Sequence, residues 1–230
     1  MEHLSPNLVI NTNILKAAYE SKVSKLIFIS SNTVYPVKNY AVKEEDTNFN
    51  FFEKYHIVGW MKLFSEKMCE MYSTKIKNPM KTIVIRPANL YGPYDKFDKD
   101  KAKVIPSLIR KIVEKQNPLE IWGDGKDIKD FIYIDDFING LLKVSILNKK
   151  FNIVNISSSK KISINKIAKI LLKLNKMEKW KILHLNDQPS MIPFRLISNK
   201  KIKKITDWKI NIEMTEGLKK TLRWYKNNIS

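Results

Sequence analysis

The sequence predicts an α/β fold built on a parallel sheet. Three observations carry that expectation. Some segments space their apolar residues as a helix does, and others crowd β-branched and aromatic residues into short runs. The two kinds of segment alternate along the whole chain. No internal repeat or low-complexity linker interrupts them, so strand–helix–strand units are the expected building blocks.

Taken in order, residues 6–22 place apolar side chains at 8, 10, 14, 15 and 18, which predicts a helix. The run "VSKLIFISS" at 23–31 predicts a buried strand, and 32–57, rich in Asn, Lys, Glu and Asp, a long loop. A helix is expected from about 58 to 77, followed by a second buried strand, "KTIVIRPANLYG". After the charged loop "YDKFDKDKAK" comes a helix over 104–116, with Pro106 fitting its first turn. Short strands "LEIW" and "FIYI" flank the turn "GDGKD", and Asp135 is the expected cap of a helix over 135–147. "FNIVNIS" predicts a strand, 162–175 a helix, and 213–227 a closing helix.

At 230 residues, 43% hydrophobic, the chain can fill a core, which excludes wholesale disorder. The single cysteine, Cys69, excludes an internal disulfide and any multi-cysteine metal site, and suits a reducing cytoplasm. No apolar stretch approaches a membrane span, and "MEHLSPNLVINTN" lacks the pattern of a signal peptide. A cytoplasmic protein with no membrane partner is the expectation. The net charge of +19 raises the question of nucleic acid. The lysines, however, are scattered in short pairs beside Asn and Ile, with no RNP-like, zinc-finger or helix-turn-helix pattern. A nucleic-acid-binding function rests on charge alone, whereas an anionic small ligand fits the same balance.

One absence stands out. Nucleotide-binding α/β folds open with a strand, a glycine-rich turn and a helix, because only glycine lets the backbone close on a pyrophosphate. This sequence has six glycines, none in a G-x-G-x-x-G or G-x-x-G-x-x-G arrangement, and it opens on a predicted helix.

The colinear strings "NLVINTNILKAAYESKVSKLIFISSNTVYP", "VGWMKLFSEKMCEMY", "IRPANLYGPYDKF", "KVIPSLIRKI", "IWGDGKDIKDFIYIDD" and "GLKKTLRWY" identify a resemblance. Together they resemble the extended short-chain dehydrogenase/reductases, the NAD-dependent epimerase/dehydratase family of nucleotide-sugar enzymes. "NLYGPYDKF…VIPSLIRK" and "QPSMIPFRLI" look most like the branch containing GDP-fucose synthase. The resemblance implies a partial Rossmann-type parallel sheet whose first strands are missing, with an interleaved smaller substrate-binding region. Residues 1–93 and 135–160 would belong to the sheet, 94–134 to the substrate-binding insertion and 161–230 to a C-terminal substrate-binding region. It implies NAD or NADP as cofactor and a nucleotide sugar as substrate. A separate N-terminal chain, carrying the glycine-rich unit, or a homodimer are the protein partners it leaves room for.

The family's site residues carry over one at a time. Asn7 matches an asparagine that starts the first helix. Ser31 matches the serine that hydrogen-bonds the reacting sugar hydroxyl. Asn32 and Thr33 stand where dehydratases carry an acidic pair, which disfavours a 4,6-dehydratase. GDP-fucose synthase has a cysteine at the Thr33 position and a histidine at the Lys103 position, so that exact activity is in doubt. Lys62 matches the lysine that holds the nicotinamide ribose, Pro87 lies beside the cofactor, and Asn89 matches a substrate contact. Lys129 replaces an arginine that grips the diphosphate, which keeps the charge but loses the two-pronged fork. Arg195 matches another diphosphate ligand. Arg110 and Lys111 face the same pocket or are solvated helix charges; the two readings stand level.

In the family a tyrosine four residues before the lysine carries the proton chemistry, and here that position is Val58. Valine has no proton to exchange. Tyr55, one turn earlier, is a conceivable substitute, but its oxygen would be moved about 4.5 Å along a helix, which favours a loop tyrosine packed against the helix start. The "VGWMK" string is also compatible with a subgroup whose base comes from elsewhere. The function expected is therefore epimerisation or reduction of a nucleotide sugar, in a chain truncated and of doubtful activity alone. A non-catalytic nucleotide-sugar-binding or partner subunit is the alternative.

Overall fold

The computed structural model describes residues 4–188 and 191–229. Pro189 and Ser190 of the "QPSMIPFRLI" string lie outside the described residues, as do the first three of the N-terminal stretch. Chain order begins with α1 (Leu4–Glu20) and β1 (Lys25–Ile29). Lys22 takes a left-handed φ of 56° and the Val23 amide donates back to the Ala18 carbonyl at 2.9 Å, the loop closure that stops α1.

Residues 32–57, expected as plain loop, hold three short 3-10 turns and β2 (Ala41–Val42) before α2 (His56–Thr74). The expected single strand "KTIVIRPANLYG" is two, β3 (Lys81–Pro87) and β4 (Asn89–Tyr91). The chain changes partner there: Ala88 donates to Ile156 of the main sheet, and Asn89 to the Asp130 carbonyl. Next come α3 (Val104–Val113), β5 (Leu119–Trp122), β6 (Ile128–Lys129), β7 (Phe131–Tyr133) and α4 (Ile134–Ser145). α3 stops short of 116 because Lys115 turns left-handed at φ 58° and Gln116 donates back to Lys111.

Asp135 does not cap α4. Tyr133 occupies the cap position without a side-chain bond, and Asp135 and Asp136 lie in the first turn. There the Asp136 carboxylate accepts from the Asn211 and Ile212 amides, both 3.0 Å, and so ties α4 to the C-terminal region. The remaining elements are β8 (Phe151–Ile156), β9 (Ile162–Ser163), α5 (Ile164–Leu174), β10 (Ile182–Leu185), β11 (Leu196–Ile197), α6 (Lys200–Ile205) and α7 (Met214–Asn228).

The main sheet is parallel, in the order β1-β3-β8, with Ile29 opposite Ile85 and Ile85 opposite Val154. Its central strand is covered on both faces. Val84 packs with Leu15 of α1 and Cys69 of α2, while Ile83 and Ile85 pack with Phe137 and Val144 of α4 and Ile202 of α6. A second core joins α3, α5 and α7 through Ile109, Ile112, Ile167, Leu171, Leu218 and Leu222. Four two-stranded pairings complete the fold: β4 with β7, β5 with β10, β2 with β11, and β6 antiparallel to β9.

Candidate functional site

Parallel sheets place ligands at the carboxyl ends of their strands, and a cavity of about 370 Å³ opens there. Ser30 and Ser31 follow the end of β1, and Pro87, Ala88 and Asn89 span the break between β3 and β4. All five line the cavity. From the far side come Lys103 at the start of α3, Lys129 on β6, and Arg195 just before β11. Tyr55 and Lys62 reach it from the entrance and second turn of α2. The structure thus gathers Ser31, Lys62, Pro87, Asn89, Lys129 and Arg195, spread over 165 positions of sequence, around one space.

Each is held by local bonding. The Ser31 hydroxyl oxygen accepts from the Thr33 amide at 3.1 Å and caps the turn Asn32–Val34. Asn32 donates to the Pro87 carbonyl at 3.1 Å, which joins the ends of β1 and β3. Asn89 Nδ2 donates to the Asp130 carbonyl at 2.9 Å. Lys62 Nζ donates to the Ile29 carbonyl at 3.0 Å and lies 5.1 Å above the Phe28 ring. Burial lowers its pKa, against the opposing pull of Glu66. Lys129 pairs with Asp127 at 3.1 Å and donates to the Ile192 carbonyl, and burial again lowers its pKa.

Arg195 is 3% exposed. It donates to the Pro36 carbonyl at 2.9 Å and the Tyr35 carbonyl at 3.0 Å, and its Nε has no hydrogen-bond partner. Burial pushes the guanidinium down to about 10, which leaves it cationic at neutral pH. The Thr33 hydroxyl, also on the cavity wall, is likewise buried without a partner. Both residues stand on the cavity wall, and each keeps one buried polar atom unpaired beneath it.

Three further sets of residues find their places. Arg110 and Lys111 do not line the cavity: Arg110 pairs with Glu114 at 2.8 Å, and Lys111 with Glu120 at 3.6 Å. Asn7, matched to an asparagine that starts the helix, is an exposed residue of the first turn of α1. Tyr55 is not a packing residue alone, because its side chain lines the cavity while Val58, 36% exposed, does not.

Sequence reasoning also missed the support beneath the site. Glu66 and Arg86 form a two-pronged buried ion pair, Nε–Oε1 2.9 Å and Nη2–Oε2 2.6 Å. Arg86 also donates to the Tyr35 hydroxyl, the Glu44 carbonyl and the Thr47 hydroxyl, and so fixes the 32–55 segment against the sheet. Ser30 donates to the same Glu66 at 2.5 Å. The available signal was the arginine inside the buried strand string "IVIRPA"; Glu66 is one of four charged residues in "KLFSEKMCE" and carried none.

Comparison with known proteins fits this geometry. The family model described as "NAD dependent epimerase/dehydratase family" matches residues 2–157. The chain belongs to the NAD dependent epimerase/dehydratase family. Among members of the family it is 28% identical over 237 residues to a probable GDP-L-fucose synthase 1 of Oryza sativa subsp. japonica, covering 99% of this chain and 70% of the rice protein. It superposes on the UDP-glucose 4-epimerase of Thermotoga maritima, solved with UDP-glucose, with TM-score 0.85 at 21% identity, covering 97% of this chain and 70% of that one. On the UDP-glucuronic acid 4-epimerase of Bacillus cereus, solved with UDP-glucuronic acid and NAD, the TM-score is 0.82 at 25% identity, covering 96% and 67%. Among the described residues, no helix is long and apolar enough to cross a membrane, and no cluster of three His, Cys, Asp or Glu side chains could hold a metal.

Proposed function

We propose that this chain forms the nucleotide-sugar-binding half of an NAD(P)-dependent epimerase or reductase. One observation carries the reading: the described cavity wall holds four cations, Lys62, Lys103, Lys129 and Arg195, and no carboxylate. Such a wall concentrates positive potential on a dianionic diphosphate. Arg195 and Lys129 hold the diphosphate, Ser31 and Asn89 hydrogen-bond the sugar, and Lys62 and Pro87 border the nicotinamide end. Residues 94–134 and 161–230 supply the substrate side, and 1–93 with 135–160 the sheet beneath it.

The dinucleotide fits this chain only in part. Lys62 and Pro87 line the cavity, but none of the six glycines builds a phosphate cradle, and they stand at 59, 92, 123, 125, 140 and 217. No step is therefore derived through the cofactor. A separate N-terminal chain bringing the glycine-rich unit would add to β1, which among the described residues pairs only with β3 and whose Ile29 is 38% exposed. A homodimer is the other partner proposed, supported by exposed Val9, Ile10 and Ile14 on α1 and Phe64 and Met71 on α2. The buried free thiol of Cys69 suits the cytoplasm proposed for this protein.

The second reading, a non-catalytic nucleotide-sugar-binding subunit, is favoured by Val58. The test is an assay of the 230-residue chain with nucleotide sugars and NAD or NADP, followed through the nicotinamide absorbance and by product chromatography. Binding without turnover supports the proposal. Turnover by the chain alone contradicts it.

A further inference from the structure

We propose that Tyr55 donates its hydroxyl, together with Arg195, to the diphosphate of a bound nucleotide. The inference rests on the reading of the cavity as a nucleotide-sugar site. It assigns Tyr55 to binding, and it leaves the proton chemistry of position 58 without a successor.

The geometry supports this in three steps. The chain enters α2 through the 3-10 turn Glu53–Tyr55, which brings the Tyr55 side chain to the cavity that also receives Arg195. The two are close enough to interact electrostatically, each stabilising the charged form of the other. Arg195 in turn lines the cavity, is buried, and forms no ion pair among the described residues. A buried cation without a counter-charge is costly, and Lys129 adds to the cost by repelling it. An oxyanion that accepts from Arg195 and from the phenol would relieve both.

The direction of the phenol's titration separates donor from base. Burial raises the Tyr55 hydroxyl above its ordinary value, against the smaller opposing pull of Arg195. At neutral pH the group is therefore a neutral O–H that donates to an anion. A proton-abstracting tyrosinate would need the opposite shift.

The experiment follows the Tyr55 ring-carbon resonance of the unmutated, tyrosine-labelled chain by NMR, assigned through its backbone. Inorganic pyrophosphate, UDP and GDP are added in turn, and affinities for the same ligands are measured for Tyr55→Phe. The expected result is a shift of the Tyr55 signal with pyrophosphate and with at least one nucleoside diphosphate. Tyr55→Phe should weaken both roughly ten-fold, the usual effect of a hydrogen bond to a charged group. A Tyr55 signal that moves with UDP or GDP but not with pyrophosphate assigns the contact to the nucleoside and overturns the inference. Binding by the parent chain with an unmoved Tyr55 signal overturns it while leaving the proposed function intact. No binding by the parent chain overturns both. If Tyr55→Phe fails to fold, the resonance of the parent chain decides.

Discussion

The guanidinium of Arg195 holds the Pro36 carbonyl at 2.9 Å across 159 residues of sequence, and the Tyr35 carbonyl beside it at 3.0 Å. One buried side chain thus locks the loop after β1 to the strand β11 and faces the cavity at the same time. Arg195→Met should lower stability by about 1–3 kcal/mol, because two buried carbonyls lose their donors. It should also weaken nucleoside diphosphate binding about ten-fold or more. Chemical denaturation and titration calorimetry on the same variant separate the two effects.

Glu66 and Arg86 make a second lock, under the site rather than in it. Removing one partner strands a charge in the core, so Glu66→Gln and Arg86→Met should each cost about 3–5 kcal/mol. The double variant should cost less than the sum of the singles, because no unpaired charge remains. Urea unfolding of the three variants gives the comparison.

Asp130 supplies a pH prediction. Its carboxyl accepts from the amides of Ser158, Ser159 and Ile197 and from the Ser158 hydroxyl, yet burial outweighs these donors and pushes it up to about 7. The native state then binds a proton more tightly than the unfolded state, so stability falls as pH rises from about 4 to about 7. Asp130→Asn should flatten that part of the profile. Denaturation midpoints at pH 5 and pH 8 for parent and variant check the sign.

Lys22, Lys115 and Lys176 end helices in the left-handed conformation, at φ 56°, 58° and 57°. An L side chain is strained there and glycine is not. Replacing each lysine with glycine should stabilise the chain by up to about 1 kcal/mol, with the three effects adding because the sites are far apart. Thermal unfolding of the triple variant reads the sum.

Most of the fold could be read from the sequence wherever a segment's own pattern decided its structure. α3 and α5 carry clear helical stripes, and β3 is a run of apolar residues buried on both faces. The strands β2, β6, β9 and β11 have two residues each. They exist because a distant partner lies alongside, so no local signal announces them. α6, "KKIKKI", reads as a charge run until Ile202 is seen buried against the sheet. At the site, the matched residues converged because the main sheet and its crossovers are shared with the family. Tyr55 was misplaced because helical spacing was extended back from 58, whereas the chain bends through a 3-10 turn at 53–55. Arg110 and Lys111, left undecided by the sequence, pair with Glu114 and Glu120 away from the cavity wall.

The account stands or falls on whether this cavity takes a nucleotide sugar without a dinucleotide. Titration calorimetry of the purified chain against GDP-, UDP- and dTDP-linked sugars, each with and without NAD or NADP, measures that directly. The predicted result is saturable binding of one base series that weakens in Arg195→Met and is indifferent to NAD(P). Binding of NAD or NADP alone, or no nucleotide-sugar binding by a chain that unfolds cooperatively, would contradict it.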